Sequence, residues 1–170
     1  MPTIRKAELR DVPAIFQLIN QYVPERVVLP RTLGELYESV WEFTVAEEDG
    51  KVLACGALKL YSEEMAEIRS LCVARGVQKG GLGRAITENL LGEAERLQLK
   101  TVFALAVAPG FFEKRGFREV ARATLPMKVW RDCVHCEKYF QCDERALVID
   151  LPHQPASDVA SRKEVMEVPV

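Results

Sequence analysis

Residues 67–84 read EIRSLCVARGVQKGGLGR, and the reading of this stretch decides the fold. A strand-like apolar run closes at Leu71-Cys72-Val73, and glycines then crowd Gly80, Gly81 and Gly83. Leu82, Ala85, Ile86, Leu90, Ala94 and Leu97 recur behind them at helical spacing, enough for about four turns. A strand, a tight turn and a helix start therefore follow one another. The first amides of a helix have no partner within it, the helix dipole adds positive potential there, and glycine admits a ligand close to the main chain. Such a turn can cradle a diphosphate, with Lys79 and Arg84 adding charge; the alternative is a loop that merely reverses the chain. Neither the GxxxxGK[ST] spacing of a P-loop nor the GxGxxG spacing of a dinucleotide site occurs. What remains is Q-x-x-G-x-G, here Gln78, Gly81 and Gly83.

Upstream, residues 3–5 read as a strand. Asp11 is placed to cap a helix that has Pro13 in its first turn and Val12, Ile15, Phe16, Ile19 and Val23 on one stripe. Thr32-Leu33-Gly34-Glu35 has the capping-box pattern of a second helix. Residues 42–47, 52–60 and 66–73 alternate as strands, the first two joined by the hairpin signal Asp49-Gly50. Downstream, residues 101–107 form an apolar run. Pro109 opens a short helix stopped by Gly116, and residues 117–122 and 145–151 are strand-like. The pattern predicts an α/β (α+β) fold, with a mixed, mostly antiparallel central sheet flanked by helices.

The 170 residues suit one domain, and a chain of that size buries a core without disulfides. With 23 Lys and Arg against 25 Asp and Glu, the net charge of −2 argues against a dedicated nucleic-acid binder. No apolar run approaches the length of a membrane span, and the charged first ten residues do not read as a signal peptide. The odd count of five cysteines, with Cys55 and Cys72 inside apolar runs, fits a reducing cytoplasm better than a disulfide scaffold. Small-molecule partners are expected, with a homodimer as the alternative to a monomer, and neither nucleic acid nor membrane.

The Q-x-x-G-x-G loop resembles the acetyl-CoA pyrophosphate loop of the GNAT N-acetyltransferase superfamily. The order of elements over residues 3–151 is similar to the GNAT order, and FFEKRGF at 111–117 is similar to that family's short helix and turn. Residues 29–58, 67–74, 102–120 and 125–147 resemble the short, stand-alone N-acetylglutamate synthases; longer members carry an additional kinase-like domain. The resemblance implies an acetyltransferase domain over residues 1–151, with a cysteine-containing insertion at about 131–144. Residues 152–170, with three prolines, read as a mobile or partner-dependent tail.

The implied reaction moves acetyl from acetyl-CoA to the α-amino group of an amino acid, with L-glutamate the first acceptor, as in arginine biosynthesis. Only the free amine attacks, the developing oxyanion needs donors, and the thiolate leaves with or without a proton. The resemblance makes Glu67 the candidate base, acting through water; a solvated strand carboxylate paired with Arg69 or Lys59 is the plainer alternative. Period-two alternation puts Glu67, Arg69, Leu71 and Val73 on one strand face. The expected cofactor contacts are Leu71, Cys72, Val73, Gln78, Lys79, Gly80, Gly81, Leu82, Gly83 and Arg84. Amides near Cys72 and Val73 would be the oxyanion donors. Arg31, Arg69 and Lys59 are the candidates for binding the acceptor carboxylates, since arginine pairs bidentately with such groups.

Two departures stand out. The short helix has Phe111 and Phe112 where many members carry a tyrosine acid, and Ala106 and Val107 replace a Thr-Tyr pair. Paired cations favour glutamate, whereas a small amine or a peptide acceptor would want acidic residues. A non-catalytic acyl-CoA-binding regulator is the alternative of another class. Cys133, Cys136 and Cys142 form C-x2-C-x5-C, which could hold a structural zinc with His135, Asp143 or another chain as fourth ligand. Reduced thiols or one labile disulfide are the alternatives, and Trp130, Tyr139 and Phe140 read as packing for this insertion.

Overall fold

The structure, a computed structural model, describes residues 1–125 and 131–152. The tail expected at 152–170 lies outside the described residues but for Pro152, and so does Trp130. Seven strands form one sheet: β1 (Thr3–Lys6), β2 (Phe43–Glu48), β3 (Lys51–Leu60), β4 (Met65–Val73), β5 (Thr101–Ala106), β6 (Arg118–Val120) and β7 (Arg145–Asp150). Their order across it is β1-β2-β3-β4-β5-β7-β6, and β4–β5 is the one parallel pair. The helices are α1 (Val12–Asn20), α2 (Leu33–Glu38), α3 (Leu82–Arg96) and α4 (Gly110–Glu113). None of the described helices is long and apolar enough to cross a membrane.

Local chemistry accounts for most of the element boundaries. Asp49 (φ 51°) and Gly50 (φ 75°) are both left-handed, as the tightest hairpin turn demands. The Thr32 hydroxyl accepts from the Glu35 amide while the Glu35 carboxylate accepts from the Thr32 amide, so the predicted capping box is formed. Asp11 differs from expectation. Its carboxylate makes no cap bond to α1; it accepts two bonds from Arg5, at 2.6 and 3.0 Å, and one from the Glu8 amide. Arg5 also reaches Glu47, so this cluster ties β1, the start of α1 and β2 together.

Both faces of the sheet are covered. The α3 face buries Ile86, Leu90 and Ala94 against Ala54, Leu58, Ile68 and Val102. Gly56 permits that close approach, because a Cβ there would lie 2.7 Å from Ile86 Cγ2. On the other face, α1 and α2 cover Val45, Cys55, Ala57 and Cys72. A separate apolar cluster of Tyr61, Phe103, Leu125, Ala146 and Val148 lies further along, beneath the segment joining β6 and β7.

Two irregularities in β4 shape the site. Pairing with β5 runs only from Met65↔Thr101 to Glu67↔Phe103, so the strands splay and the β5-facing edge of β4 beyond Glu67 has no strand partner. In the β3–β4 ladder the register shifts between Cys55 and Ala57, and Ser70 has φ 52°. Ser70 and Leu71 together oppose Gly56, which is a β-bulge. The bulge reverses the alternation: Glu67 and Arg69 lie with Cys72 on the α1/α2 face, while Leu71 and Val73 pack on the α3 face. The expectation that all four even-spaced residues share a face is thereby corrected, because one extra residue flips everything after it.

Candidate active site

The glycine turn comes first. Gly81 caps α3 at φ 77°, a conformation that a side chain would strain. Gly80 donates its amide to Val77 O at 3.0 Å, so its N–H closes the turn and is not free for a ligand. Gly81, Leu82, Gly83 and Arg84 donate to no main-chain acceptor among the described residues, and these four amides form the open end of the helix. Gln78 donates to Tyr22 Oη at 2.6 Å, and Tyr22 in turn donates to Val73 O at 2.6 Å. Gln78 thus ties the loop to the end of β4. Tyr22 was not marked by the sequence pattern, since its partners are 51 and 56 residues away. Arg84 pairs along the helix with Glu88 at 2.6 Å, so its amide rather than its side chain belongs to the cradle. Arg84, Lys114 and Arg115 line a basic recess together with Glu88 and Leu91. Leu71 and Val73 border the splay from the α3 side, and Val73 and the Phe111 ring flank Gly83 at 3.5–3.6 Å from where a Cβ would sit. The open amides, the left-handed glycine and the unpaired strand edge fit a diphosphate with a long thioester arm.

The second half of the site lies on the α1/α2 face, between the two apolar clusters. Glu67 is 3% exposed, so the plainer expectation of a solvated carboxylate does not hold. The Tyr61 hydroxyl lies 3.0 Å from Glu67 Oε2 and 3.0 Å from Asp132 Oδ2. Arg69, on the same strand face, has Glu42 at 3.5 Å and Asp132 at 3.7 Å. Arg31 enters from the segment before α2, donating to Ser39 Oγ at 3.4 Å with Glu35 at 3.9 Å. Lys59 pairs in register with Glu67 and lies over the Tyr61 ring at 5.6 Å. Lys59 and Arg69 therefore share the sheet face of Glu67, and the Arg31 charge lies near Arg69.

Cations and carboxylates are interleaved in this region, with Glu42 and Asp132 beside Arg69 and Glu35 nearest Arg31. The Arg31 and Arg69 side chains are only 13% and 15% exposed, and the Nε of each is buried with no hydrogen-bond partner among the described residues. Burial, and then the neighbouring Arg69 charge, pull Arg31 below its ordinary value. The same two causes act on Lys59. Burial, followed by the charges of Glu67 and Asp132, pushes the Tyr61 phenol far above its usual range, so it stays protonated.

Among the described residues no group of three or more His, Cys, Asp or Glu is arranged to hold a metal ion. The sulfurs of Cys133 and Cys142 lie 3.5 and 2.9 Å from one nitrogen of Arg122. All five cysteines are free thiols. Burial and the adjacent Cys72 raise the Cys55 thiol, its bond to Cys72 being the larger effect. Phe140 is 93% exposed, and so does not pack the insertion as expected. The insertion's contribution to the site is Asp132, which the sequence pattern did not mark.

Comparison with known proteins follows from this geometry. The model of the acetyltransferase (GNAT) domain matches residues 39–119. An uncharacterized N-acetyltransferase of Chlorobaculum tepidum is 35% identical over 145 residues, spanning 85% of this chain and 94% of that protein. An amino-acid acetyltransferase of Mycobacterium tuberculosis is 38% identical over 141 residues, spanning 81% of this chain and 79% of its own length. Among solved structures, a Mycobacterium tuberculosis protein in complex with CoA superposes with a TM-score of 0.76 at 34% identity, over 89% of this chain and all of that one. N-acetylglutamate synthase from Neisseria gonorrhoeae, complexed with coenzyme A and N-acetyl-glutamate, gives a TM-score of 0.79 at 26% identity. That match covers 90% of this chain but 36% of the synthase.

Proposed function

From the premise that this chain belongs to the GNAT family and is an acetyl-CoA-dependent N-acetyltransferase, we propose that its acceptor is the α-amino group of an amino acid, L-glutamate first. One observation carries the choice of acceptor: Arg31 and Arg69 are buried with unpartnered Nε–H groups on the same sheet face as Glu67. Two guanidiniums held out of water with spare donors are complementary to carboxylates. The relatives named amino-acid acetyltransferase, and the synthase complexed with N-acetyl-glutamate, point the same way.

Acetyl-CoA, when bound, supplies the activated acyl group. In this reading the amides of Gly81, Leu82, Gly83 and Arg84 hold its diphosphate, and the splayed edge of β4 up to Val73 receives the arm. Leu71 lines that edge from the α3 side, and Cys72 faces the acceptor pocket. Arg31 and Arg69 orient the amino acid by its carboxylates, with Lys59 beside them. Glu67 takes the ammonium proton, directly or through one water, since only the free amine is nucleophilic. Amides near Cys72 and Val73 are the donors toward the acyl oxygen. Phe111 and Phe112 leave α4 without the tyrosine acid of many relatives, so the thiolate leaves unassisted or with a proton from another group.

A second acceptor class has one observation in its favour: Glu42 and Asp132 both flank Arg69, and acidic groups suit an amine or peptide. The deciding experiment measures thiol release from acetyl-CoA with each common amino acid, several small amines and short peptides, with product masses recorded. The proposal expects L-glutamate or a close amino acid to have the highest kcat/KM. Turnover confined to amines or peptides that lack a free α-carboxylate would overturn it.

A further inference from the structure

Tyr61 has one hydroxyl hydrogen and two carboxylate oxygens at 3.0 Å, Oε2 of Glu67 and Oδ2 of Asp132. With both carboxylates ionised, only one of those contacts can contain a hydrogen. The phenol cannot turn away. Its main-chain N–H donates to Met65 O at 2.9 Å, and its ring packs on Phe103 at a centroid distance of 5.4 Å in an apolar cluster. Asp132 has a fixed cation beside it, Arg69 at 3.7 Å.

Resting on the reading of Glu67 as base, we propose that Tyr61 is the positioning residue of that base, held so that the proton taken from the acceptor amine completes a Glu67–Tyr61–Asp132 hydrogen-bond chain. The N–H bond of the acceptor ammonium breaks and an O–H bond forms at Oε2 of Glu67. That O–H donates to Oη of Tyr61, whose own hydrogen turns to Oδ2 of Asp132. Both 3.0 Å contacts then hold a hydrogen, and the nitrogen keeps its electron pair for attack. The proton returns to solvent when product leaves. Among the described residues, the other charged groups facing this cluster are Lys59 from β3, Arg69 from β4, Glu42 and Arg31 from the α2 side, and Arg131 beside the Tyr61 ring. None of these contributes a hydrogen to the two contacts of the phenol oxygen.

The test compares kcat against pH for the wild-type enzyme, Tyr61→Phe, Asp132→Asn and Glu67→Gln at saturating substrates. Tyr61→Phe keeps the ring and should lower kcat about tenfold at neutral pH with little change in KM for acetyl-CoA. Its acid limb should move to lower pH, because the proton on Glu67 has lost its acceptor. Asp132→Asn should move the limb in the same direction, since an amide can donate to Oη without any proton from substrate. Glu67→Gln should remove the limb. A purely structural role would change rate and leave the limb in place, so wild-type limbs in both Tyr61→Phe and Asp132→Asn overturn the inference while leaving Glu67 as base. A wild-type limb in Glu67→Gln overturns the base assignment and the inference with it.

Discussion

At the scale of single residues, the proposed acceptor pocket rests on two arginines with different surroundings. Arg69 is braced by Glu42 and Asp132, whereas the nearest carboxylate to Arg31 is Glu35 at 3.9 Å. Arg31 is therefore the guanidinium with more of its charge left for substrate. Arg31→Ala should raise the acceptor's KM by the equivalent of ~1.5–3 kcal/mol while the KM for acetyl-CoA holds, measured by steady-state kinetics. An unchanged acceptor KM would move the carboxylate site elsewhere. Glu67 and Arg31 were legible through the family resemblance, and Arg69 because strand alternation puts it on the face of Glu67. Tyr61 and Asp132 were not, since the hydroxyl and the carboxylate that meet at 3.0 Å are 71 residues apart in the chain.

At the scale of elements, the β3–β4 ladder and the helix packed on it decide whether the site exists. Gly56 opposes the bulge and sits beneath α3, where a Cβ would press on Ile86 Cγ2 at 2.7 Å and on Leu71 and Leu90 at 3.2 Å. Gly56→Ala should cost about 1–3 kcal/mol in denaturant unfolding, with a loss of activity that follows the loss of fold. The hairpin at Asp49-Gly50 and the capping box at Thr32 were legible because each is a local rule spanning a few residues. Thr32→Ala should cost ~1 kcal/mol by the same measurement. The bulge was hidden, because Ser70 has no chemistry that marks a left-handed backbone and the apolar alternation reads straight through it. Asp11 misled for a related reason: its cap position was plain, but Arg5 on a neighbouring strand competes for the carboxylate and wins.

At the scale of the whole molecule, the sheet is discontinuous where the proposed function places the cofactor. β4 and β5 pair over three residues and then part, directly beside the open end of α3. The order of elements that implied this fold was readable along the chain; the extent of the splay was not, because strand pairing is a tertiary property. The Arg5–Asp11–Glu47 cluster fastens the first strand and helix to this frame, and the Arg5 hydrogen bond is the largest cause holding the Asp11 carboxyl below its ordinary value. A depressed carboxylate stabilises the fold above its unfolded pKa, and that contribution is lost as pH falls through the folded value. Asp11→Asn should therefore lose stability at about pH 7, and its difference from wild type should shrink as pH falls through the depressed folded pKa, measured by urea unfolding across that range.

The central claim is that the open amides of residues 81–84 grip the diphosphate of coenzyme A. Amide chemical shifts followed residue by residue as coenzyme A is titrated into the labelled protein test it most directly. The account predicts the largest shifts at Gly81, Leu82, Gly83 and Arg84, with further shifts along β4 to Val73 and a smaller one at Gly80, whose N–H already bonds Val77. Saturable binding that leaves those four amides unmoved and shifts another part of the chain would contradict it.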